Sequence, residues 1–261
     1  MLRKYFKSLY QDTTRRAYDS AYSHIAASIA PNSVVLDCGA SNGYVFDLIS
    51  KRSGLSIDQY NGIEWSSDLA NEAQHRGLNV INGDLNRNIP FNDNSFTCIF
   101  ALSVLEHLLN PCKFLRECHR LLKPGGQLVI LTPNISTYFT AALIIAGRMP
   151  SSGPHPDSDQ LLKSEEVFKV SSELLKPDTE GDTPVHRHLV VFSYRTLHKY
   201  LQMVGFLNIY GEGYGLYPFP KFSQPILEKV DPYHCHQMVF IVTKSMQDLD
   251  ASECRPKIDH L

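Results

Sequence analysis

A chain of 261 residues, 43% of them hydrophobic and 20% charged, is long enough to bury one full-sized core with room for an insertion. Its formal net charge of -2 supplies no field to hold a polyanion, which argues against nucleic acid as a partner. The basic start, MLRKYFKSLYQDTTRR, has no long apolar stretch and no small-residue cleavage site, and the run Ala141 to Ala146 is far too short to span a bilayer.

Six scattered cysteines without a C-x-x-C pair read as reduced thiols in a cytoplasmic protein, with Cys38 and Cys98 acting as small buried hydrophobes. Tyr233-His234-Cys235-His236 brings metal ligands to mind. Neighbours on an extended segment point to opposite faces, however, so the stretch reads as a strand entrance and no metal is expected.

In chain order, Tyr18 to Ile29 is helix-like and ends before Pro31, and Val34 to Asp37 is a first strand. A helix follows from Gly43 to Ser50, then a strand at Tyr60 to Glu64 and a helix at Asp68 to Arg76 closed by Gly77. Asn79 to Asn82 and Phe96 to Leu102 are the third and fourth strands. Pro111 to Leu122 is an amphipathic helix that Pro124-Gly125-Gly126 should stop, and Gln127 to Thr132 is the fifth strand. Beyond Asn134 the alternation breaks. Ser136 to Gly147 is helical, and a Pro/Ser/Gly loop and a polar, acidic segment run on to Pro184, long enough to be a lid. Tyr194 to Val204 is a helix ended by Gly205, and Phe206 to Gly211 and Val239 to Thr243 are the last strands. Their connection is too short for a full crossover helix, which predicts an antiparallel pair at the sheet edge. This alternation predicts an α/β fold with helices on both faces of a sheet. The expected organisation is a helical cap over residues 1–30, a core domain over 31–244 with a lid at about 135–190, and a flexible tail over 245–261.

The stretch VVLDCGASNG ends an apolar strand on an acid and then places small residues at alternate positions. Small residues let backbone N–H groups approach a ligand at the start of the next helix. A dinucleotide site would show G-x-G-x-x-G, whereas this spacing is D-x-G-x-S-x-G. The acid repels a pyrophosphate and accepts from an ammonium group, which favours a cationic ligand.

Four motifs in order then resemble those of class I S-adenosylmethionine (SAM)-dependent methyltransferases, of the type 11 group that includes ubiquinone and menaquinone biosynthesis enzymes. They are VLDCGASNG, NGIEWS, NGDLN, and FTCIFALSVLEHLLNP followed by ECHRLLKPGGQLVILTPN, spanning roughly residues 30 to 135, with HLVVFSYRTLHKYLQMVGF beyond. The resemblance implies a Rossmann-like, mostly parallel seven-stranded sheet with a lid insertion after strand 5. It also implies SAM as cofactor and S-adenosylhomocysteine as its product. It assigns Asp37, Gly39, Ala40, Ser41 (where the family has its middle glycine) and Gly43 to the methionine portion, and Glu64 to the ribose hydroxyls. Trp65 would lie beside the adenine, Asp84 would accept from its amino group with Leu85 against the ring, and Ala101, Leu102 and Ser103 would border the methionine end.

Glu106 and His107 follow the fourth strand, where they read as capping and orienting the next helix; for His107 alone, facing the reacting methyl group is the alternative. Methyl transfer to a hydroxyl needs a base, and an imidazole near neutral pKa suits. His155, His186 and His188 cluster around the insertion; His188 is the first candidate, His186 the second and His107 the third. Aromatics at Tyr5, Tyr18, Tyr138, Phe139, Tyr214, Tyr217 and Phe219, with the Ala141-to-Ile145 run, suit a small acceptor with a hydrophobic part or an ordinary lid core. O-methylation of a small molecule leads. N- or C-methylation, a tRNA or protein methyltransferase, a nicotinamide enzyme and a non-catalytic scaffold are the alternatives, and a homodimer is open.

Overall fold

The computed structural model describes residues 2–150, 152–156, 158 and 187–246, with side chains from residue 8 onward. Seven strands form one sheet: β1 (Val35–Cys38), β2 (Tyr60–Glu64), β3 (Asn79–Asn82), β4 (Phe96–Leu102), β5 (Leu122–Pro133), β6 (Phe206–Tyr214) and β7 (Gln237–Lys244). Their order is β3-β2-β1-β4-β5-β7-β6, with β7 antiparallel to both of its neighbours. Every other pairing is parallel.

Strands covered on both sides read as continuous apolar runs, because each face needs its own hydrophobic partner. Alternate residues of the central strands do feed two cores. Leu36, Cys38, Ile99, Ala101, Leu128 and Ile130 face α4 (Pro111–Leu121) and α6 (Tyr194–Val204) through Phe114, Leu115, Leu197 and Leu201. Val35, Cys98, Phe100, Val129 and Leu131 face the other way. There they meet Ala17, Ala21 and Ile25 of α1 (Leu2–Ala27), Val45 and Ile49 of α2 (Tyr44–Ser53), and Ala70 and Ala73 of α3 (Ser67–His75). Small residues on α1 and α3 let those helices lie close to the sheet. The remaining helices, α5 (Tyr138–Ile145) and α7 (Gln224–Val230), lie outside these two layers.

Two sequence expectations change. The first helix begins at Leu2 rather than Tyr18 and is anchored late in the chain: Arg16 donates through both terminal nitrogens to the buried Glu228 of α7 at 2.6 and 2.8 Å. Pro124-Gly125-Gly126 does not follow a loop. The helix α4 ends at Leu121, Leu122 already pairs with Phe96, and the Pro-Gly-Gly lies inside β5 where the register shifts, with Gly125 at φ 75°. A bulge uses the same residues as a helix stop. The antiparallel pair expected at the sheet edge is present: β7 lies between β5 and the edge strand β6, and the connection from β6 to β7 holds only short helical pieces, α7 and a 3-10 turn at Pro232–His234.

The parallel register places the glycine-rich loop tightly against β2. Gly39 and Ala40 both donate to the Ile63 carbonyl, at 2.8 and 3.0 Å. Gly62, opposite Asp37, leaves room for this: a Cβ there would stand 2.7 Å from Ala40 Cβ and 2.9 Å from Val80 Cγ2. Gly62→Ala is therefore expected to destabilise the fold by about 1–3 kcal/mol, the range for overfilling a packed core. Urea denaturation followed by circular dichroism checks this; an unchanged midpoint would mean the loop gives way freely.

Candidate functional site

Strand order reverses direction between β1 and β4, and in open α/β sheets ligands settle at the carboxyl ends of the strands at such a point. The register brings the predicted residues to one rim. Asp37 lies opposite Gly62 and Phe100, Cys38 opposite Ala101, and Glu64 opposite Asn82. Gly83 donates to the Glu64 carbonyl at 2.9 Å, which sets Asp84 directly beyond the end of β3.

Glu64 is 9% exposed, and its carboxylate is already oriented: Oε2 accepts from Ser41 N–H at 2.7 Å and Oε1 from Ser66 N–H at 2.9 Å. A carboxylate offers about four acceptor sites, so two remain for a bidentate donor pair such as ribose hydroxyls. Ser41, which stands where the resemblance expects glycine, adopts φ 50°, a left-handed conformation that costs a non-glycine residue roughly 1–2 kcal/mol. Gly39 and Gly43 are left-handed as well, and a Cβ on either would collide with Val104 or Leu78. Trp65 is 45% exposed on the rim, and Leu85 is buried in the core beyond β3. Asp84 also performs the turn role open to it from sequence, accepting from Asn86 N–H at 2.8 Å through Oδ1. At the other end of the rim, Ala101 is buried, and Ser103, at φ 55°, accepts from the Tyr18 hydroxyl at 2.8 Å. The first helix thus closes over the end of β4. Neither this contact nor the Asp37 partner Tyr60 was read from sequence, because both depend on elements far apart in the chain.

Asp37 is the decisive residue. It is 2% exposed, and Oδ2 accepts from the Tyr60 hydroxyl at 2.7 Å. Burial, opposed by that hydrogen bond and reinforced by the charge of Glu64, pushes its pKa up to about 7. The groups around it are Tyr60 of β2, Tyr44 of α2, Tyr22 of α1 and Glu64; none of these described neighbours is a cation. A buried carboxyl beside a glycine cradle fits a ligand that brings its own ammonium group. A second carboxylate, Glu64, and an exposed indole, Trp65, stand on the same rim, groups with the chemistry to meet vicinal hydroxyls and a base.

The comparisons agree with that geometry. A family model described as a methyltransferase domain matches residues 10–210. This chain belongs to the S-adenosylmethionine-dependent methyltransferases. It is 30% identical over 128 residues to a protein of Mycolicibacterium smegmatis named a probable S-adenosylmethionine-dependent methyltransferase, covering 47% of this chain and 46% of the relative. It is also 30% identical over 114 residues to a ubiquinone biosynthesis O-methyltransferase of Maricaulis maris, covering 42% and 44%. The chain thus spans about half the length of the curated relatives it matches. The solved S-adenosylmethionine-dependent methyltransferase of Mesorhizobium loti shares the fold with a TM-score of 0.55 at 17% identity, covering 85% of this chain and 96% of that one.

The catalytic candidates divide. His186 lies outside the described residues, and so does most of the predicted lid. His188 and His107 come together, with ring centroids 5.1 Å apart, and His155 stacks on His188 at 4.8 Å. The strip bearing His188 is stitched to the turn after β4: Leu189 N–H donates to the Glu106 carbonyl at 2.7 Å. Glu106 itself, weighed in the sequence as a possible cap, is 2% exposed and accepts from the Thr132 hydroxyl at 2.9 Å. Its signal was present: an acid set among Val104, Leu105 and Leu108 is an expensive thing to bury. By contrast, His234 and Cys235 turn to Asp231, and His236 sits against Tyr10 and Tyr217, so that stretch is divided among separate partners. Among the described residues no helix is long and apolar enough to cross a membrane.

The raised pKa of Asp37 has a direct consequence for pH. Between about pH 4, where an unfolded aspartate ionises, and about pH 7, the ligand-free folded state keeps a proton that the unfolded state has released. Stability therefore falls as pH rises through this window, by up to about 1.4 kcal/mol per pH unit, and levels off above it. Affinity for an ammonium-bearing cofactor runs the opposite way, strengthening as pH rises from 6 to 8 through about 7. Asp37→Asn is expected to flatten both slopes in thermal melts and in calorimetric titration with S-adenosylhomocysteine.

Proposed function

We propose that the chain transfers the methyl group of S-adenosylmethionine to a hydroxyl oxygen of a small organic acceptor with a hydrophobic part. The observation that carries this reading is the convergence of His188, His107 and Glu106 in the turn that follows β4, immediately beyond Leu102 and Ser103. When bound, the cofactor supplies an electrophilic methyl on a positively charged sulfur. The chain's share is to hold cofactor and acceptor in line, to keep water out, and to take up the acceptor's proton. Orientation alone supplies on the order of 7–11 kcal/mol in favourable intramolecular models.

Asp37, Gly39, Ala40, Ser41 and Gly43 hold the amino-acid end, Glu64 the ribose, and Trp65, Asp84 and Leu85 the adenine. Ala101, Leu102 and Ser103 border the reacting end. Tyr18, whose phenol burial pushes up to about 12, remains protonated and fixes Ser103 as a hydrogen-bond donor. An amine or carbon acceptor is the second reading; it would not require a proton-handling group at this place. The relative named for O-methylation and the half-buried imidazoles both favour oxygen. Exposed apolar side chains at Phe139 and Ile144 of α5 and at Phe219 support an acceptor that is partly hydrophobic.

Three variants test this. Asp37→Ala and Glu64→Ala are expected to abolish calorimetric heat with S-adenosylhomocysteine. His188→Ala is expected to keep cofactor binding within about threefold while methyl transfer to a phenolic or alcoholic acceptor falls by about 10²–10⁴, the range for a lost acid–base group. Full turnover by His188→Ala would remove the proton-handling reading, and an absence of heat with the folded wild-type chain would remove the cofactor reading.

A further inference from the structure

We infer that Arg187 anchors a carboxylate carried by the acceptor molecule, with the Ser152 hydroxyl as a second donor to it. This rests on the proposed methyl transfer to oxygen and narrows the acceptor to hydroxy acids, compounds that bear the reacting hydroxyl and a separate carboxylate.

Arg187 is the only buried arginine among the described residues, at 7% exposure. A guanidinium stays charged in a protein and is almost never taken out of water unless something pairs with it. The chain does pair its other sheltered arginines. Arg16 grips Glu228 through two nitrogens, and Arg120 meets Glu117, Asp93 and the carbonyls of Ile89 and Phe91. Arg76 is more exposed still and has both Asp47 and the Asn42 carbonyl. Arg187 differs. Its Nε is buried without a hydrogen-bond partner, and among the described residues no acid forms an ion pair with it. A chain that gives an acid to each of these three, and none to the arginine it buries most deeply, leaves that guanidinium for an anion from solution.

The location is the acceptor end of the rim. Arg187 belongs to the strip that folds over the turn after β4, one residue before His188, the proposed proton acceptor. That strip is fixed on two sides. The Arg187 carbonyl accepts from His107 Nδ1 at 3.1 Å, Leu189 N–H donates to the Glu106 carbonyl at 2.7 Å, and His188 N–H donates to His155 Nδ1 at 3.2 Å. A donor rooted on an anchored backbone has little freedom left to lose when a ligand arrives. Ser152 lies against the same strip, its carbonyl 2.5 Å from His188 Nδ1. Its hydroxyl, on a residue 3% exposed, is a second buried group without a hydrogen-bond partner. Two unanswered donors meet on either side of one histidine.

Charge selects the kind of anion. One guanidinium balances one negative charge, and Glu106, 2% exposed under the same strip, disfavours any surplus. A carboxylate carries a single charge on a flat pair of oxygens that matches the edge of a guanidinium. A phosphate monoester would bring close to a second charge that nothing described here neutralises. Held by its carboxylate, the acceptor offers its hydroxyl to His188. The O–H proton passes to the imidazole, the oxygen forms its bond to the methyl carbon, and the electron pair of the broken S–CH3 bond stays on sulfur. The anchoring carboxylate is unchanged throughout.

The full chain, saturated with S-adenosylhomocysteine, provides the test. Calorimetric titrations with 4-hydroxybenzoate, 4-hydroxyphenylacetate and 3-(4-hydroxyphenyl)propionate are compared with those of their methyl esters and of 4-hydroxyphenyl phosphate. At least one acid is expected to bind about 10–100-fold more tightly than its ester and than the phosphate, the range for a charged hydrogen-bonded contact. Arg187→Gln should remove that preference while keeping the heat with S-adenosylhomocysteine, and Ser152→Ala should reduce it by a smaller factor. Arg187→Met needs no acceptor. It takes an unneutralised charge out of the interior, so the ligand-free melting midpoint should hold or rise, by up to about 2–4 °C. A midpoint that falls would mean the chain itself satisfies the guanidinium, and the inference would be lost. Equal binding of acid and ester at every length overturns it as well, and tighter binding of the phosphate overturns the choice of carboxylate. No heat with S-adenosylhomocysteine in the folded wild-type chain would instead remove the methyltransferase reading beneath it.

Discussion

A carboxyl group sits in the middle of the sheet at Asp37 and receives one hydrogen bond from a phenol, with another acid nearby and no described cation against it. Much of the molecule answers to that placement. The strand carrying it is otherwise fully apolar, so the acid cannot escape to water without dismantling β1. It faces the one gap where neighbouring strands diverge in order, and the loop beyond it is built from residues small enough to let backbone N–H groups converge. Ionising Asp37 in the ligand-free protein is costly, and the cost is offset when a cationic ligand arrives. Burial that weakens the empty state is the same burial that strengthens the bound one.

Two of the four described non-glycine residues at positive φ fall in the same place, while Asn94 precedes β4 and Asn208 lies in the edge strand β6. Ser41 and Ser103, at the carboxyl ends of β1 and β4, are both non-glycine residues at positive φ. Residues held so are usually kept there by surroundings that over-determine them, and they gather at ligand sites. The surroundings are identifiable in both cases. Ser41 is pinned through its N–H by Glu64, and Ser103 through its hydroxyl by Tyr18 of the first helix. Glu64 therefore shapes the loop, and α1 reaches the rim as well as the core. The Arg16–Glu228 pair, which ties α1 to α7, is a structural element with a functional reach.

Where sequence reading succeeded, the signal was local. β2, β3 and β4 and the helix α6 have the predicted bounds, because apolar strand runs, a serine cap at Ser193 and a glycine stop at Gly205 all lie within a few residues of what they control. The rim position of Asp37, Glu64 and Asp84 was legible for the same reason: each lies at or beside the end of a strand, and parallel strands in order put their ends on one rim. The misreadings were of features whose meaning is tertiary. Pro124-Gly125-Gly126 has the composition of a helix stop and serves as a bulge because Leu122 pairs with Phe96. Glu106 looked like a cap. It is buried because the strip at Arg187–Val190 folds over it, and nothing near residue 106 announces that strip.

Glu228 clarifies what Asp37 and Glu106 have in common. All three acids are almost wholly removed from solvent, yet only Glu228 is given a guanidinium by the chain, in a two-point contact that neutralises it whatever else is bound. Glu64, the other buried acid on the rim, is satisfied by two backbone N–H groups. Glu106 receives a threonine hydroxyl and faces the His188 imidazole, which favours its charged form. Asp37 receives only a phenol among the described residues, a neutral donor that orients a carboxylate without cancelling its charge. An acid that is oriented but not neutralised is arranged for a positive charge that comes from outside, and Asp37 stands at the switch between β1 and β4 where such a ligand can reach it.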